Sequence, residues 1–128
     1  MSRVFEFVGE ELVDKDGKTT KLQSVLGQGK VVGIYFSAHW CPPCRNFTPK
    51  LAEFYKKIKD TANGDSFEII FVSSDKNEDD FKEYLSEMPW LAMPFARRNE
   101  KVEFLYMTVY TRCIYEVSKV LQVKFTVS

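Results

Sequence analysis

The sequence predicts an α/β domain, and three observations carry that expectation. Val31-Val32-Gly33-Ile34-Tyr35-Phe36 is an unbroken apolar run of strand length, as expected for a strand covered on both faces. Phe67 to Val72 is a second such run. Between them Phe47, Leu51, Phe54, Tyr55 and Ile58 recur at helical spacing and form one apolar stripe. Strand, helix, strand in that order is a βαβ unit. At 128 residues and 45% apolar content the chain is expected to be one domain, 1–128, with enough apolar surface for a core.

Several function classes are disfavoured by composition. Lys plus Arg and Asp plus Glu both number 18, so bulk charge attracts neither nucleic acid nor an anionic membrane, and neither is expected as a partner. Glu6, Glu10 and Glu11 interrupt the N-terminus where a signal peptide needs an apolar run. No window reaches the ~18 charge-free apolar residues of a membrane span. Three cysteines cannot staple a secreted scaffold, and the odd count suits a reducing compartment: the expected residence is cytoplasmic, with the nucleus also open.

Along the chain, Asp16-Gly17 between Leu12-Val13 and Thr19-Thr20 predicts a hairpin turn. Lys21 to Leu26 predicts a short helical turn ended by Gly27 or Gly29. After the first buried strand a helix starts at Pro42, with Pro49 inside it removing one hydrogen bond to the Arg45 carbonyl, where a kink is expected. Ala62-Asn63-Gly64 stops that helix. Beyond the second strand, Asp75 or Asn77 is expected to cap a further helix carrying Phe81, Tyr84, Leu85 and Met88, closed by Pro89. Asp75, Asp79 and Asp80 are read as helix-start charges favoured by the dipole. Trp90 to Phe95 is core or an apolar rim around the site. Residues 104–128 lack Gly, Pro, Asp and Asn, the usual turn residues, which leaves one helix or two strands open; the reading adopted is a helix from about Asn99 to Val120 followed by an extended end.

The chemistry lies where the first strand meets the helix, at Trp40-Cys41-Pro42-Pro43-Cys44. With Cys41 as N-cap, Pro42 is the first helical residue, where a missing N–H costs nothing. Cys44 is then the third, with its N–H directed back toward the Cys41 sulfur. That bond and the helix dipole favour the thiolate, so Cys41 is expected to ionise below the free value of roughly 8.5. Pro42 and Pro43 remove two amide donors, leaving those of Cys44 and Arg45, so the depression should be moderate. The spacing also suits a disulfide. Cys41 would attack a partner disulfide and Cys44 would resolve the mixed disulfide.

Other readings stand beside this one. A C-x-x-C pair is half a zinc site, but only Cys113 and His39 remain to complete it, so no metal or cofactor is expected. Trp40 is read as a cover over the sulfur or as a packed indole. His39 assists proton transfer or is a solvent-facing spacer. Arg45 tunes Cys41 or is a solvated helix residue, and Cys113 is read as a buried small hydrophobe rather than a redox partner.

Trp-Cys-Pro-Pro-Cys-Arg-Asn-Phe-Thr-Pro at 40–49 resembles the active-site segment of tryparedoxins and nucleoredoxin-like proteins, within the thioredoxin superfamily. Tyr35-Phe36-Ser37-Ala38, Leu51-Ala52-Glu53-Phe54-Tyr55 and Met88-Pro89-Trp90-Leu91-Ala92-Met93-Pro94-Phe95 are similar to the same subgroup. The likeness covers about residues 5–103 and leaves 104–128 as a divergent tail. It implies a thioredoxin-like fold, a mostly parallel central sheet flanked by helices, whose C-terminal part is atypical or incomplete. It also implies a thiol–disulfide oxidoreductase with Cys41 attacking and Cys44 resolving, and Trp40, Pro42, Pro43 and Arg45 supporting the site. The implied partners are disulfide-containing proteins or low-molecular-weight thiols, plus an upstream reductase or thiol donor.

Two departures from the family are visible. Thioredoxins carry a buried acid six residues before the first active cysteine, and here that position is Tyr35, as in the tryparedoxin-like subgroup. A phenol is no carboxylate base at neutral pH. The family's late Ile-Pro or Val-Pro step, which helps hold substrate backbone, is also absent: the last proline is Pro94. The ending is therefore expected to belong to a truncated or alternatively terminated form. The alternative function is a nucleoredoxin-like binding or regulatory module with weak catalysis. Metal or cluster binding ranks third.

Overall fold

Strand formation follows the apolar runs. The computed structural model describes residues 9–25, 31–62, 64–100 and 123–127. Strand β1 (Glu11–Val13) and β2 (Thr19–Lys21) form the hairpin expected around Asp16-Gly17. Asp14 organises its loop, its carboxylate accepting the amides of Asp16 and Lys18 at 2.9 Å each. Gly17 supplies the left-handed residue, φ +82°, at which a side chain would be strained. Helix α1 is one turn, Leu22–Val25, and the glycines expected to end it lie outside the described residues.

Strand β3 (Val31–Ser37) and β4 (Phe67–Ser73) pair in parallel along their whole length, from Val31 opposite Phe67 to Ser37 opposite Ser73. Helix α2 (Pro42–Lys59) joins them and continues through Pro49 as one 18-residue helix. It ends at Asp60, ahead of a 3-10 turn at Gly64–Ser66.

Helix α3 (Glu78–Leu85) is capped by Asn77, whose side chain accepts the Asp80 amide at 2.8 Å. It stops four residues before Pro89, so Met88 lies in the turn that follows and is buried there. Leu91–Ala92 form β5, parallel to β4 and antiparallel to β1. The Trp90 indole is 2% exposed, which makes this segment core and not rim.

The last strand, β6 (Val123–Val127), pairs antiparallel with β3. The extended end expected for the tail is thus found and covers the free edge of β3. Phe95–Glu100 is a 3-10 helix, so the long helix expected from Asn99 does not begin as α-helix; its remainder, 101–120, lies outside the described residues, as does Cys113.

The sheet order is β2-β1-β5-β4-β3-β6, a mixed sheet whose three central strands are parallel. Period-two alternation sends Tyr35, Ile69 and Phe71 to one face, where α2 (Leu51, Ala52, Tyr55) and α3 (Phe81, Tyr84, Leu85) cover them with Trp90. Val32, Ile34, Phe36, Ile70 and Val72 go to the other, against Leu12, Leu22 and Met93. Both faces of β3 and β4 are buried, the physical reason their sequences are apolar without interruption. Among the described residues no helix is long and apolar enough to cross a membrane.

Candidate active site

Parallel pairing of β3 and β4 brings both C-terminal ends to one rim of the sheet, and the site is built there. Ser74 donates its amide to the Ser37 carbonyl at 2.9 Å, extending the pairing one step beyond the strands. The loop 38–41 therefore runs beside 74–77.

Cys41 is the N-cap of α2, with extended backbone (φ −98°, ψ 105°), and Pro42 and Pro43 open the helix. Cys41 and Cys44 form a disulfide with their Cα atoms 5.2 Å apart, within the span such a bond requires. The two sulfurs are not equivalent. Cys41 is half-buried, whereas Cys44 is only 8% exposed. In the oxidised pair the Cys41 sulfur is joined to that of Cys44 and makes no side-chain cap bond, a state other than the thiolate for which that bond is expected. One expectation is corrected here: the Arg45 amide does not serve the sulfur but donates to the Cys41 carbonyl at 3.0 Å, the first bond of the helix. The Arg45 side chain is exposed, and so are Pro42 and Pro43.

Trp40 is 58% exposed, and its Nε1 donates to the Ser74 carbonyl at 3.0 Å. The indole is a tethered surface group beside the disulfide. Tethering fixes it at little entropic cost to a partner that lands on it.

Asp75 departs from the helix-start reading. It is 2% exposed and belongs to the loop clamp, not to α3. Its carboxylate accepts the His39 amide at 2.7 Å and the Ser73 hydroxyl at 2.7 Å. The reason is positional: α3 begins three residues later, and the turn after β4 folds the Asp75 side chain back toward the neighbouring loop. The His39 ring lies against Tyr84, centroids 5.5 Å apart.

Beneath Cys44 lies a chain of four buried hydroxyls that sequence reasoning did not find. Thr48 Oγ1 donates to the Cys44 carbonyl at 2.9 Å. It is also 2.7 Å from Tyr35 Oη and 2.6 Å from Tyr84 Oη, and Tyr84 Oη is 2.6 Å from Ser37 Oγ. A threonine hydroxyl has one proton and two acceptor positions. With the proton committed to the carbonyl, both tyrosines donate to Thr48, Tyr35 Oη with the Cys44 carbonyl as a second, longer acceptor at 3.5 Å, and Tyr84 accepts from Ser37. All the donors then point toward the first turn of α2. Burial pushes the Tyr84 phenol well above its ordinary range, so it stays neutral. Where the resemblance leads one to expect a buried acid, this chain places the buried hydroxyl of Tyr35. The only sequence signal was Thr48 four residues after Cys44, which is one turn of helix.

Comparison with known proteins gives the same picture. Residues 29–114 match the family model described as thioredoxin-like. The chain is 48% identical over 103 residues to nucleoredoxin of Bos taurus, covering 79% of this chain and 23% of that protein. It is 51% identical over 88 residues to tryparedoxin of Trypanosoma brucei brucei, covering 69% of this chain and 57% of that one. Among solved structures it is similar to a tryparedoxin II complexed with glutathionylspermidine, with a TM-score of 0.69 and 38% identity over 88% of this chain and 76% of that one. The chain thus spans under a quarter of the length of the nucleoredoxin it matches. With a strand-to-helix C-x-x-C pair joined as a disulfide and these relatives, the chain belongs to the thioredoxin-like family of redox proteins, beside the nucleoredoxins and tryparedoxins.

Proposed function

We propose that this protein reduces disulfides of proteins or of low-molecular-weight thiols, with Cys41 as the attacking and Cys44 as the resolving sulfur. The observation that carries the reading is the unequal exposure of the pair at the start of α2. Once reduced, only Cys41 is open to a partner. Its thiolate attacks one partner sulfur and the other leaves as a thiolate. Cys44, deprotonated, then attacks the Cys41 sulfur, releasing the second partner thiolate. Two electrons pass to the partner, and the Cys41–Cys44 disulfide is re-formed. An upstream reductase or thiol donor must return the pair to the dithiol. We place the reaction in the reducing cytoplasm or nucleus.

Trp40, Pro42 and Pro43 form the exposed collar of the site, and Arg45 adds a cation to it. The proposal is tested by reduction of disulfide-bonded insulin with dithiothreitol as electron source. Wild type should accelerate the reaction and Cys41→Ser should not. Equal rates for the two would remove the catalytic claim.

A second reading, a nucleoredoxin-like binding module with weak catalysis, is supported by the 48% identity to nucleoredoxin. It predicts that partner capture survives replacement of both cysteines by serine, while insulin reduction by the wild type stays near the uncatalysed rate.

A further inference from the structure

We propose that His39, Asp80 and Glu83 form a binding site for a divalent metal ion of the zinc class, on the rim of the disulfide centre. One ligand atom from each of the three residues lies within 4.8 Å of the other two. They come from different parts of the chain: His39 from the loop after β3, Asp80 and Glu83 from α3. On the helix the two acids are three residues apart, so they share a face.

The surroundings hold these groups in place. The His39 main chain is anchored by Asp75 at 2.7 Å. Its ring rests on Tyr84, the residue after Glu83, which directs the imidazole toward α3. Asn77 Nδ2 donates to Asp80 Oδ2 at 3.0 Å, the kind of supporting bond that orients a carboxylate ligand. Among the described ion pairs, Lys82 goes to Glu78, and none involves Asp80 or Glu83. Nor does an ion pair join either acid to His39. Among the described residues, two carboxylates and an imidazole are thus gathered with no lysine or arginine ion-paired to them.

The donor set selects the ion. One imidazole nitrogen and two carboxylate oxygens suit zinc, with water completing the tetrahedron, whereas calcium and magnesium favour shells made of oxygen. Bonds of about 2.0–2.1 Å require the ligand atoms to draw closer than they stand. The exposed Glu83 side chain is free to swing inward. The two thiol sulfurs play no part, being joined to each other. Bound metal would tie the loop that carries Trp40 and Cys41 to helix α3, and it would raise stability by mass action.

The test titrates zinc chloride calorimetrically into the full chain with its disulfide oxidised, alongside His39→Asn and Glu83→Gln. Magnesium and calcium chloride are run as separate arms. We expect one zinc per chain, an affinity at least about tenfold weaker in each variant, and a zinc-dependent rise in melting temperature that both variants lose. No saturable zinc binding would overturn the proposal. So would equal affinity in the variants, which would put the ion elsewhere, or an equal response to magnesium, which would mean a general acidic surface. Glu83 is exposed, so Glu83→Gln keeps the fold and the comparison stays valid. With the protein oxidised and no substrate present, the outcome is independent of disulfide reduction.

Discussion

Asp75 accepts the main-chain N–H of His39 at 2.7 Å, joining two loops that are 36 residues apart in sequence. This contact and the Trp40–Ser74 bond suspend the segment leading to Cys41 from the end of β4. The Cys41 sulfur thus sits on a loop fixed at both sides: by α2 after it and by β4 beside it. Such second supports are what hold a reacting atom within a fraction of an ångström of its working position.

Replacing Asp75 by alanine should therefore cost both stability and rate. It takes the charged acceptor away from the part-buried His39 amide and removes one of the Ser73 hydroxyl's hydrogen bonds, a loss of about 1–3 kcal/mol. Urea denaturation checks the first effect and insulin reduction the second. An unchanged urea midpoint would show that the clamp contributes nothing.

The hydroxyl chain predicts an order of effects. Thr48→Val removes the acceptor shared by Tyr35 and Tyr84 together with the donor to the Cys44 carbonyl, leaving Tyr35 only that carbonyl at 3.5 Å and Tyr84 only Ser37. Tyr35→Phe removes only a terminal donor, for which a loss of about 0.5–1.5 kcal/mol is expected. Thr48→Val should be the more destabilising of the two by denaturant titration, although it is nearly isosteric. The reverse order would overturn the proton directions assigned above.

Alkaline pH should unfold the protein through its buried phenols. Burial raises both Tyr84 and Tyr55 above the ordinary value of 10.0, and in Tyr55 the Glu68 carboxylate, which accepts its hydroxyl at 2.6 Å, adds to the rise. A phenol raised in the folded state contributes stability that is complete below 10.0 and is lost as pH climbs from there through the folded value. Stability measured between pH 9 and 12 (a range set about the phenol value of roughly 10) should fall, and Tyr55→Phe should flatten that fall. A slope unchanged in this variant would exclude Tyr55 as a source.

Exposure predicts the order of modification in the reduced protein. Iodoacetamide should label Cys41 well before Cys44, because Cys44 is 8% exposed. Cys44→Ser should accumulate a mixed disulfide through Cys41, visible by non-reducing electrophoresis. Preferential labelling of Cys44 would reverse the assigned roles.

Removing residues 123–128 should destabilise the chain and promote association. Strand β6 covers the edge of β3 from Val31 to Tyr35, and an uncovered edge of that apolar strand is a template for pairing with another copy. Size-exclusion chromatography of the shortened chain checks this. A monomer of unchanged melting temperature would contradict it.

Local physics was enough to read the centre of the fold and the disulfide pair from the sequence. Val31 to Phe36 and Phe67 to Val72 are apolar throughout because both faces of those strands are buried. Cys41 and Cys44 are legible because helix capping and disulfide reach act over four consecutive residues. In the tail the extended end was legible as β6, but not its partner: antiparallel pairing with β3, far earlier in the chain, leaves no local mark. Asp75 was misread because three acids near a helix start all satisfy the dipole argument; only the parallel register of β3 and β4 puts this one beside His39. Thr48 and Tyr84, and His39 with Asp80 and Glu83, are likewise brought together by packing between elements, and separations in space between distant segments leave no periodic mark on the chain. Local order thus determined which two sulfurs pair, whereas tertiary packing decided what holds them, because hydrogen bonds between loops depend on strand register and helix docking that no short window of residues contains.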